Sequence, residues 1–545
     1  MKILLTAINA KYIHTCPAVY SLKAYAEAQG SFLPDIQIAE YTINDRYRDI
    51  LSGIVEARAD VIAFSTYIWN ILPVQRLIRD IRLIRGSDVT IWAGGPEASY
   101  APEEFLKKTG ADLVMLGEGE VTFLRLAEWV IEKGSSRASA DLQALKDKAD
   151  IPGIAYMEGG QFISTGFAMP ADLTSMPFLY NDLSVFDNRI LYYESSRGCP
   201  FSCAYCLSGK ERGLRYRDIG MVFDELLYFL EHKVKQVKFV DRTFNASPER
   251  ALAIWQFIKD HDNGITNFHF EIEADRMTEE ELRLLATFRP GLIQMEIGVQ
   301  SANPMTLRAV HRNTGLDSVE KLMKALTPVQ NINLHLDLIA GLPFEDLDSF
   351  AISLQKVYSM RPHQLQLGFL KLLPGTELFD RQEEYGLVCS DTAPYEVLRT
   401  KWLSFEEISL LHRISDRIEE FMNSQGFRRS IIPVEKLFPD AFSMFKALAG
   451  FYRDGGFENG RPSVHQRYAI FTDFVEHTLK THPEKTLREK EIIMDTIKLD
   501  QALHIHPNRR RQAETELDIG DGRRKYRIDY RHCSPVNGEA MVTTE

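Results

Sequence analysis

Short, wholly apolar runs alternate with amphipathic helical stretches along most of this chain. That alternation limits it to parallel sheets covered by helices on both faces. Over residues 1–134 strands are expected at 2–8, 60–65, 89–93 and 113–116, with helices at 17–29, closed by Gly30, and 77–85. This part reads as a doubly wound, Rossmann-like α/β domain. Residues 135–186 carry Gly134-Ser135-Ser136, Gly159-Gly160 and isolated Pro152, Pro170 and Pro177, and read as a connector with room for a hairpin. The alternation resumes over 187–395, with strands expected at 190–194, 236–241, 268–273, 292–300, 333–339 and 364–369 and helices such as 221–233 and 279–287. These βα units are too few to close a full barrel, so a partial (β/α)6 barrel of TIM type is expected, with ligands at the carboxyl ends of its strands. Over 396–545 strand signals fade and a mainly helical domain is expected. There Ser404 and Glu407 make a capping box for a helix with Phe405, Ile408, Leu411, Ile414, Ile418 and Phe421 on one face, stopped at Gly426, and 439–451 and 462–479 read as two more helices.

Composition narrows the partners. With 545 residues, 45% hydrophobic and 26% charged, the chain is an ordinary multidomain globular protein. Its 64 Lys+Arg against 76 Asp+Glu give a net charge of -12, which disfavours broad adhesion to nucleic acid or an anionic membrane and makes a small molecule the expected ligand. The basic runs Arg509-Arg510-Arg511 and 523–527 read as solvated surface. No apolar run approaches the roughly 18 residues of a membrane span, and the first nine residues are too short an apolar segment for a signal peptide. A soluble cytoplasmic protein is expected.

Three of the six cysteines stand in Arg197-Gly198-Cys199-Pro200-Phe201-Ser202-Cys203-Ala204-Tyr205-Cys206, directly after an expected strand. A C-x3-C-x2-C run on one loop can grip three irons of a cubane cluster and leave the fourth iron without a protein ligand. A closed structural zinc site needs four ligands, and no fourth Cys or His lies within a few residues. Cys16, Cys389 and Cys533 are distant in sequence and would have to fold back to join them.

The cysteine segment resembles the signature of the radical S-adenosylmethionine (SAM) superfamily, C-x3-C-x2-C with an aromatic residue before the last cysteine. The resemblance implies a 4Fe-4S cluster on Cys199, Cys203 and Cys206, SAM chelating the open iron, and cleavage of SAM to methionine and a 5′-deoxyadenosyl radical, with Tyr205 near the adenine. Further matches follow in order down the expected barrel. Asp241 ends the second strand, where the family contacts the SAM amino group, and Glu273 and Arg276 end the third, where ribose and carboxylate contacts come. Glu296-Ile297-Gly298-Val299-Gln300-Ser301 resembles the E-x-G-x-Q-S segment of the fourth strand, which places Glu296 and Gln300 among the cofactor contacts. Asp337-Leu338-Ile339-Ala340-Gly341-Leu342-Pro343 closes the fifth, and Leu373-Pro374-Gly375-Thr376 follows the sixth.

In the first domain Ser65-Thr66-Tyr67, Gly94-Gly95-Pro96-Glu97 and Gly117-Glu118-Gly119-Glu120 all sit at strand carboxyl ends, where a doubly wound sheet binds ligands. The layout resembles the cobalamin-binding domain that precedes the barrel in one large class of radical SAM enzymes. Ser65, Gly94, Gly95, Gly117 and Glu118 become its cofactor contacts, with Gly94 and Gly95 beside the nucleotide tail. A dinucleotide site is the rival, but no G-x-G-x-x-G follows the first strand. The axial-histidine motif D-x-H-x-x-G is absent too: the loop reads Asn9-Ala10-Lys11-Tyr12-Ile13-His14-Thr15-Cys16-Pro17, leaving His14 as the histidine to consider for cobalt and Cys16 as a buried small residue.

The expected function is therefore that of a cobalamin-dependent radical SAM enzyme that methylates an unactivated carbon, supplied with electrons by a low-potential donor such as flavodoxin or ferredoxin. The alternatives are a cyclisation or rearrangement without methyl transfer, a methylthiotransferase, for which further N-terminal cysteines would be wanted, and a non-catalytic iron-sulfur protein. No catalytic residue is named by the sequence.

Overall fold

The computed structural model describes every residue except 32, 134–150, 210–212, 314, 461, 505–513, 519–524, 534–539 and 545. Two units emerge, one of Met1–Arg242, Lys371–Arg381 and Cys389–Glu396, the other of Thr243–Leu370, Gln382–Val388 and Val397–Glu545.

In the first unit β1 (Lys2–Asn9), β2 (Asp35–Thr42), β3 (Val61–Ser65), β4 (Thr90–Gly94) and β5 (Leu113–Met115) form a parallel sheet, extended by the antiparallel hairpin β6 (Ile154–Glu158) and β7 (Gln161–Ser164) in the order β2-β1-β3-β4-β5-β6-β7. β1 pairs in parallel with both β2 and β3, so the strand order reverses there and opens a crevice at their carboxyl ends. Successive residues serve opposite faces. Ile3, Leu5, Ala63 and Trp92 pack with residues of the helices Pro17–Gln29 and Glu120–Lys133, while Leu4, Ile62, Phe64 and Ile91 pack with those of Ile71–Arg85. This double burial makes the runs continuously apolar and so readable in sequence.

β2 escapes that reading because it is an edge strand of mixed exposure, Asp-Ile-Gln-Ile-Ala-Glu-Tyr-Thr. The hairpin lies in the stretch expected to be a connector, yet it joins the sheet, and Ile154 and Tyr156 are buried in its core. Beyond it, β8 (Leu191–Tyr193) leads to β9 (Ser196–Arg197). The cysteine loop leaves β9 and returns through β10 (Arg215–Tyr216), its antiparallel partner, before β11 (Gln236–Phe239) pairs in parallel with β8.

In the second unit β12 (Asn267–Ile272), β13 (Ile293–Gln300), β14 (Ile332–Ala340) and β15 (Gln364–Phe369) pair in parallel in chain order. Intervening helices include Glu279–Leu285, Leu316–Leu326 and Leu347–Ser359. Strands β8 and β11–β15 lie within one or two residues of their expected ends. Along β13 buried apolar residues alternate with Gln294, Glu296, Gly298 and Gln300, so one sheet face is apolar and the other polar.

The C-terminal helices are Phe405–Ile418, capped by Ser404 and Glu407 as expected, Ala441–Asp454, Val464–Lys480 and the unforeseen Leu487–His504. Aromatic residues join them: the Phe421 and Phe471 rings stack with centroids 5.0 Å apart. Strands that the sequence reading did not foresee follow these helices: Glu514–Asp518, Lys525–Cys533 and Ala540–Thr544 form an antiparallel sheet. Its signal is the alternation Lys525-Tyr526-Arg527-Ile528-Asp529-Tyr530, which reads as a basic run when only charge is counted. Arg509, Arg510, Arg511, Arg523 and Arg524 lie outside the described residues, as do Ser135 and Ser136. Among the described residues no helix is long and apolar enough to cross a membrane.

Candidate active site

The cysteine loop is held from three directions. At its start Gly198 has φ +98°, and a Cβ there would meet the Gly213 carbonyl oxygen, so only glycine lets the loop close on its return strand. In its middle buried Ala204 accepts a hydrogen bond from Leu378 N–H at 2.9 Å, and Cys206 N–H donates to Cys203 O at 3.0 Å. Cys199, Cys203 and Cys206 are each half-buried, as is Tyr205.

Just before the loop, Asp241 at the end of β11 is almost fully buried. Its Oδ1 accepts Ser195 N–H at 2.8 Å, and its Oδ2 accepts the Ser195 and Ser196 hydroxyls, each at 2.6 Å. Burial pushes its pKa up to about 6 against the opposing pull of those hydrogen bonds. Expected to contact the SAM amino group, Asp241 also fixes the turn that launches the cysteine loop.

Arg197, the residue before Gly198, is a hub. Its Nη1 lies 2.9 Å from Glu118 Oε2, its Nη2 3.0 Å from Glu120 Oε1 and 2.7 Å from Glu194 Oε2, and its Nε 3.0 Å from Glu194 Oε1. Arg215 pairs with the other oxygen of Glu118, and Ser21 Oγ donates to Glu120 at 2.8 Å. Burial disfavours the charged form of Glu120, but the Arg197 guanidinium outweighs it and holds the carboxyl below its ordinary value. Glu118, expected to contact the cofactor, is also an anchor of the cysteine loop. Sequence reading missed the roles of Arg197 and Glu120, although an Arg beside the motif and a G-E-G-E turn were there to be paired.

One cavity of about 450 Å³ joins these parts of the first unit. The Rossmann-like sheet lines it with Ser65, Tyr67, Gly94, Gly95, Gly117 and Glu118, and the barrel side with Glu194, Arg197, Gly198, Leu207 and Arg242. Five predicted positions, Ser65, Gly94, Gly95, Gly117 and Glu118, therefore share one wall. Ser65 and Gly94 are register partners on β3 and β4. Gly95 has φ +101°, and a Cβ would lie 2.5 Å from Thr66 O; at Gly117 (φ +73°) it would lie 2.7 Å from the Phe167 ring. His14 is not among the lining residues, and its Nδ1 sits 2.5 Å from the Tyr192 hydroxyl. Cys16 is buried, with its thiol 3.7 Å from Ser65 Oγ.

In the second unit buried Glu273 lies 2.9 Å from Arg312 Nη2, and Asn245 brackets its backbone through Oδ1 and Nδ2. Arg276 Nη1 donates to Ala246 O at 3.1 Å. Arg312 also donates to Gly298 O at 2.6 Å. Gln300 sits at φ +68° beside a register shift, and a Cβ on Gly298 would strike its amide, which explains the glycine of the E-x-G-x-Q segment. Glu296 Oε2 lies 3.2 Å from His269 Nε2.

Family models match in the same order as these parts: a B12 binding domain over residues 3–127, the radical SAM superfamily over 193–357, and a protein of unknown function (DUF4080) over 383–530. The chain carries a B12 binding domain followed by a radical SAM domain, the order of the cobalamin-dependent radical SAM proteins. The cobalamin-dependent radical SAM methyltransferase TokK of Streptomyces tokunonensis is 27% identical over 373 residues, 62% of this chain and 51% of that protein. The 2-(S-pantetheinyl)-carbapenam-3-carboxylate methyltransferase of Streptantibioticus cattleyicolor is 27% identical over 355 residues, 60% of this chain and 49% of that one. The chain thus spans about half the length of these curated relatives. The structure of the cobalamin-dependent SAM radical enzyme OxsB with aqua-cobalamin bound shares the fold, with a TM-score of 0.61 at 16% identity over 92% of this chain and 79% of that one.

The cofactors of such a protein are cobalamin, SAM and a 4Fe-4S cluster. The residues present fit them. Gly95 and Gly117 bring bare backbone to the cavity wall at positions where a Cβ would strike Thr66 O and the Phe167 ring, and the three thiols stand on a loop whose root, Gly198, has room for glycine alone.

Proposed function

We propose that this cobalamin-dependent radical SAM protein methylates an unactivated carbon of a small molecule, with Cys199, Cys203 and Cys206 as cluster ligands and Ser65, Gly94, Gly95 and Gly117 as the wall that receives cobalamin. The observation that carries the reading is the cavity itself, lined from one side by Rossmann strand ends and from the other by residues flanking the cysteine loop. When bound, SAM with the reduced cluster supplies a 5′-deoxyadenosyl radical and cobalamin supplies the methyl group.

The chain's own residues do the placing. Arg197, Glu118, Glu120 and Asp241 fix the loop, and Tyr205, Glu273, Arg276, Glu296 and Gln300 are the proposed SAM contacts on the family resemblance. The boundaries proposed are 1–134 for the cobalamin domain, 187–395 for the barrel and 396–545 for the C-terminal domain. Three thiolates on one cluster need a reducing compartment, so the protein is assigned to the cytoplasm with a flavodoxin or ferredoxin as reductant.

Anaerobic purification followed by iron, sulfide and corrinoid assays tests the two-cofactor reading. Stoichiometric cluster with corrinoid is expected, and cluster alone would reduce the first domain to a scaffold. Methyl-labelled SAM then separates methylation from rearrangement: label in the product is expected, and 5′-deoxyadenosine with no label in the product would reject methylation and favour rearrangement.

A further inference from the structure

At the carboxyl end of the first three strands, the loops leaving the Rossmann-like sheet hold large apolar side chains in solvent. Tyr12 after β1 is 62% exposed, Ile43 after β2 45%, and Trp69 and Leu72 after β3 42% and 47%. Hydrogen bonds draw these loops into one rim: Trp69 Nε1 donates to Ile8 O at 3.1 Å, and Asn44 Nδ2 to Ala10 O at 3.5 Å. Single exposed apolar residues are ordinary, but neighbouring ones mark a contact surface.

Arginines border the rim. The Arg76 guanidinium carbon lies 3.8 Å from the Tyr47 ring centroid, which sets helix Ile71–Arg85 beside helix Tyr47–Glu56. Leu72, Arg76, Arg79 and Leu83 recur at helical spacing on one exposed face, and Arg46 and Arg48 are exposed at the start of the neighbouring helix. Asp45 and Asp49 stand among them, and Asp80 accepts the Tyr47 hydroxyl at 2.5 Å. The rim therefore keeps a cationic excess on a chain whose net charge is -12.

The same rim reaches the cavity. Tyr67, one of the lining residues, stacks on Trp69 with ring centroids 4.5 Å apart and planes 5° from parallel. Asn70 holds the turn that carries both rings: its Oδ1 accepts Tyr67 N–H at 2.7 Å, and its Nδ2 donates to Ile8 O at 3.0 Å and Ser65 O at 3.1 Å. Fully buried at the head of helix Ile71–Arg85, this asparagine fixes the ring pair and makes no capping bond to the helix. One aromatic pair thus runs from solvent to the cavity wall.

We propose that this rim docks an acidic, low-potential one-electron carrier protein, and that the Tyr67–Trp69 pair is the path by which its electron enters the cavity. Charge and composition set the partner class. A cationic surface with exposed Trp and Arg fits a carrier whose redox group is ringed by carboxylates, and complexes between electron-transfer proteins are small enough for a rim of this extent. The carrier loses one electron and the cofactor in the cavity gains one, while both rings stay closed-shell and serve only as a contact path. Cobalamin is the acceptor, so the path rests on the reading above; the docking surface does not.

The test is a calorimetric titration of the full-length, reconstituted protein with an acidic flavodoxin at low and at about threefold higher Debye screening, that is about 0.01 M against about 0.1 M salt. One flavodoxin per chain is expected, weakened at least about tenfold by the higher salt and, at low salt, by Arg46→Glu combined with Arg79→Glu. 5′-Deoxyadenosine formed with dithionite, which needs no docking, should stay at the wild-type level in that double variant. At saturating flavodoxin, Trp69→Leu should slow stopped-flow reduction of the bound corrinoid severalfold and leave its reduction by dithionite unchanged. Salt-insensitive binding or full affinity in the double variant would overturn the docking surface, as would a double variant that changes only the oligomeric mass of the chain, which would assign the rim to a second copy. An unchanged rate in Trp69→Leu would overturn the path. A chain without corrinoid that still binds flavodoxin through these arginines would sustain the surface and remove the cobalamin reading, so the two failures are distinguishable.

Discussion

Arg197 and Glu120 stand 77 residues apart in sequence and 3.0 Å apart in the fold, and with Glu118 and Glu194 they tie the root of the cysteine loop to the last turn of the Rossmann-like sheet. The side chains are only 16% and 7% exposed, so removing the arginine strands carboxylates with little water to solvate them. Arg197→Ala should cost about 3 kcal/mol of stability in denaturant unfolding, near the lower end for a broken buried pair. It should also lower the iron retained per chain after reconstitution. Lysine keeps the charge but not the fork, so Arg197→Lys should restore stability more than iron content. Unchanged iron in Arg197→Ala would show that the hub does not position the loop. On the acid side, a carboxyl held below its ordinary value stabilises the fold above that value; the Glu120 contribution is therefore present above about pH 4.5 and lost as pH falls through its folded value.

Asp241 has the opposite sign. Its folded pKa of about 6 stands above its ordinary 3.8, so the folded state holds the proton more tightly than the unfolded one. Stability from this group is then greatest below pH 3.8 and declines as pH rises to about 6. A shift of that size corresponds to about 3 kcal/mol. Asparagine can still accept the Ser195 N–H, and the two serine hydroxyls can rotate to accept from its amide. Unfolding free energies measured from pH 4 to 7 should therefore fall for the wild type relative to Asp241→Asn across this window, by up to about 3 kcal/mol. A constant difference between the two proteins would refute the assignment.

What sequence could and could not supply follows burial. Strands apolar on both faces, such as β1, β3 and β4, were legible because nothing polar interrupts them, and β13 because its alternation is strict. The edge strand β2 and the C-terminal antiparallel sheet were not, because their charged residues mask the period. At the site, glycines that must sit at strand ends were found. The partners of Asp241, Glu118 and Glu273 were not, since Ser195, Arg215 and Arg312 reach them through folding rather than through any local pattern.

Gly95 offers a test of the cobalamin wall. With φ +101° and Thr66 O 2.5 Å from any added Cβ, Gly95→Ala must shift backbone, at an expected cost of about 1–3 kcal/mol. Corrinoid retained after gel filtration should fall while iron per chain stays at the wild-type level, because the cysteine loop does not use this turn. Parallel loss of both would mean that the change unfolds the first unit as a whole.

The C-terminal helices supply a control for what stability alone does. Ser404 caps the helix Phe405–Ile418 by accepting Glu407 N–H at 3.2 Å, and the Glu407 carboxylate returns a bond to Ser404 N–H at 2.8 Å. Ser404→Ala removes one arm of this box and should cost about 1 kcal/mol.

Cys203→Ala is the sharpest test of the ligation itself. The middle cysteine of the run is the one whose carbonyl also accepts Cys206 N–H, a backbone bond that alanine preserves at 3.0 Å, so the substitution deletes a thiolate without deleting the turn. Two thiolates cannot hold three irons of a cubane. Reconstituted Cys203→Ala should therefore carry less than about a tenth of the wild-type iron and form no 5′-deoxyadenosine above the buffer blank, while its unfolding midpoint stays close to that of the cluster-free wild type. Retention of a four-iron cluster would require a ligand from elsewhere, and with it the open iron that SAM needs would no longer follow from the motif.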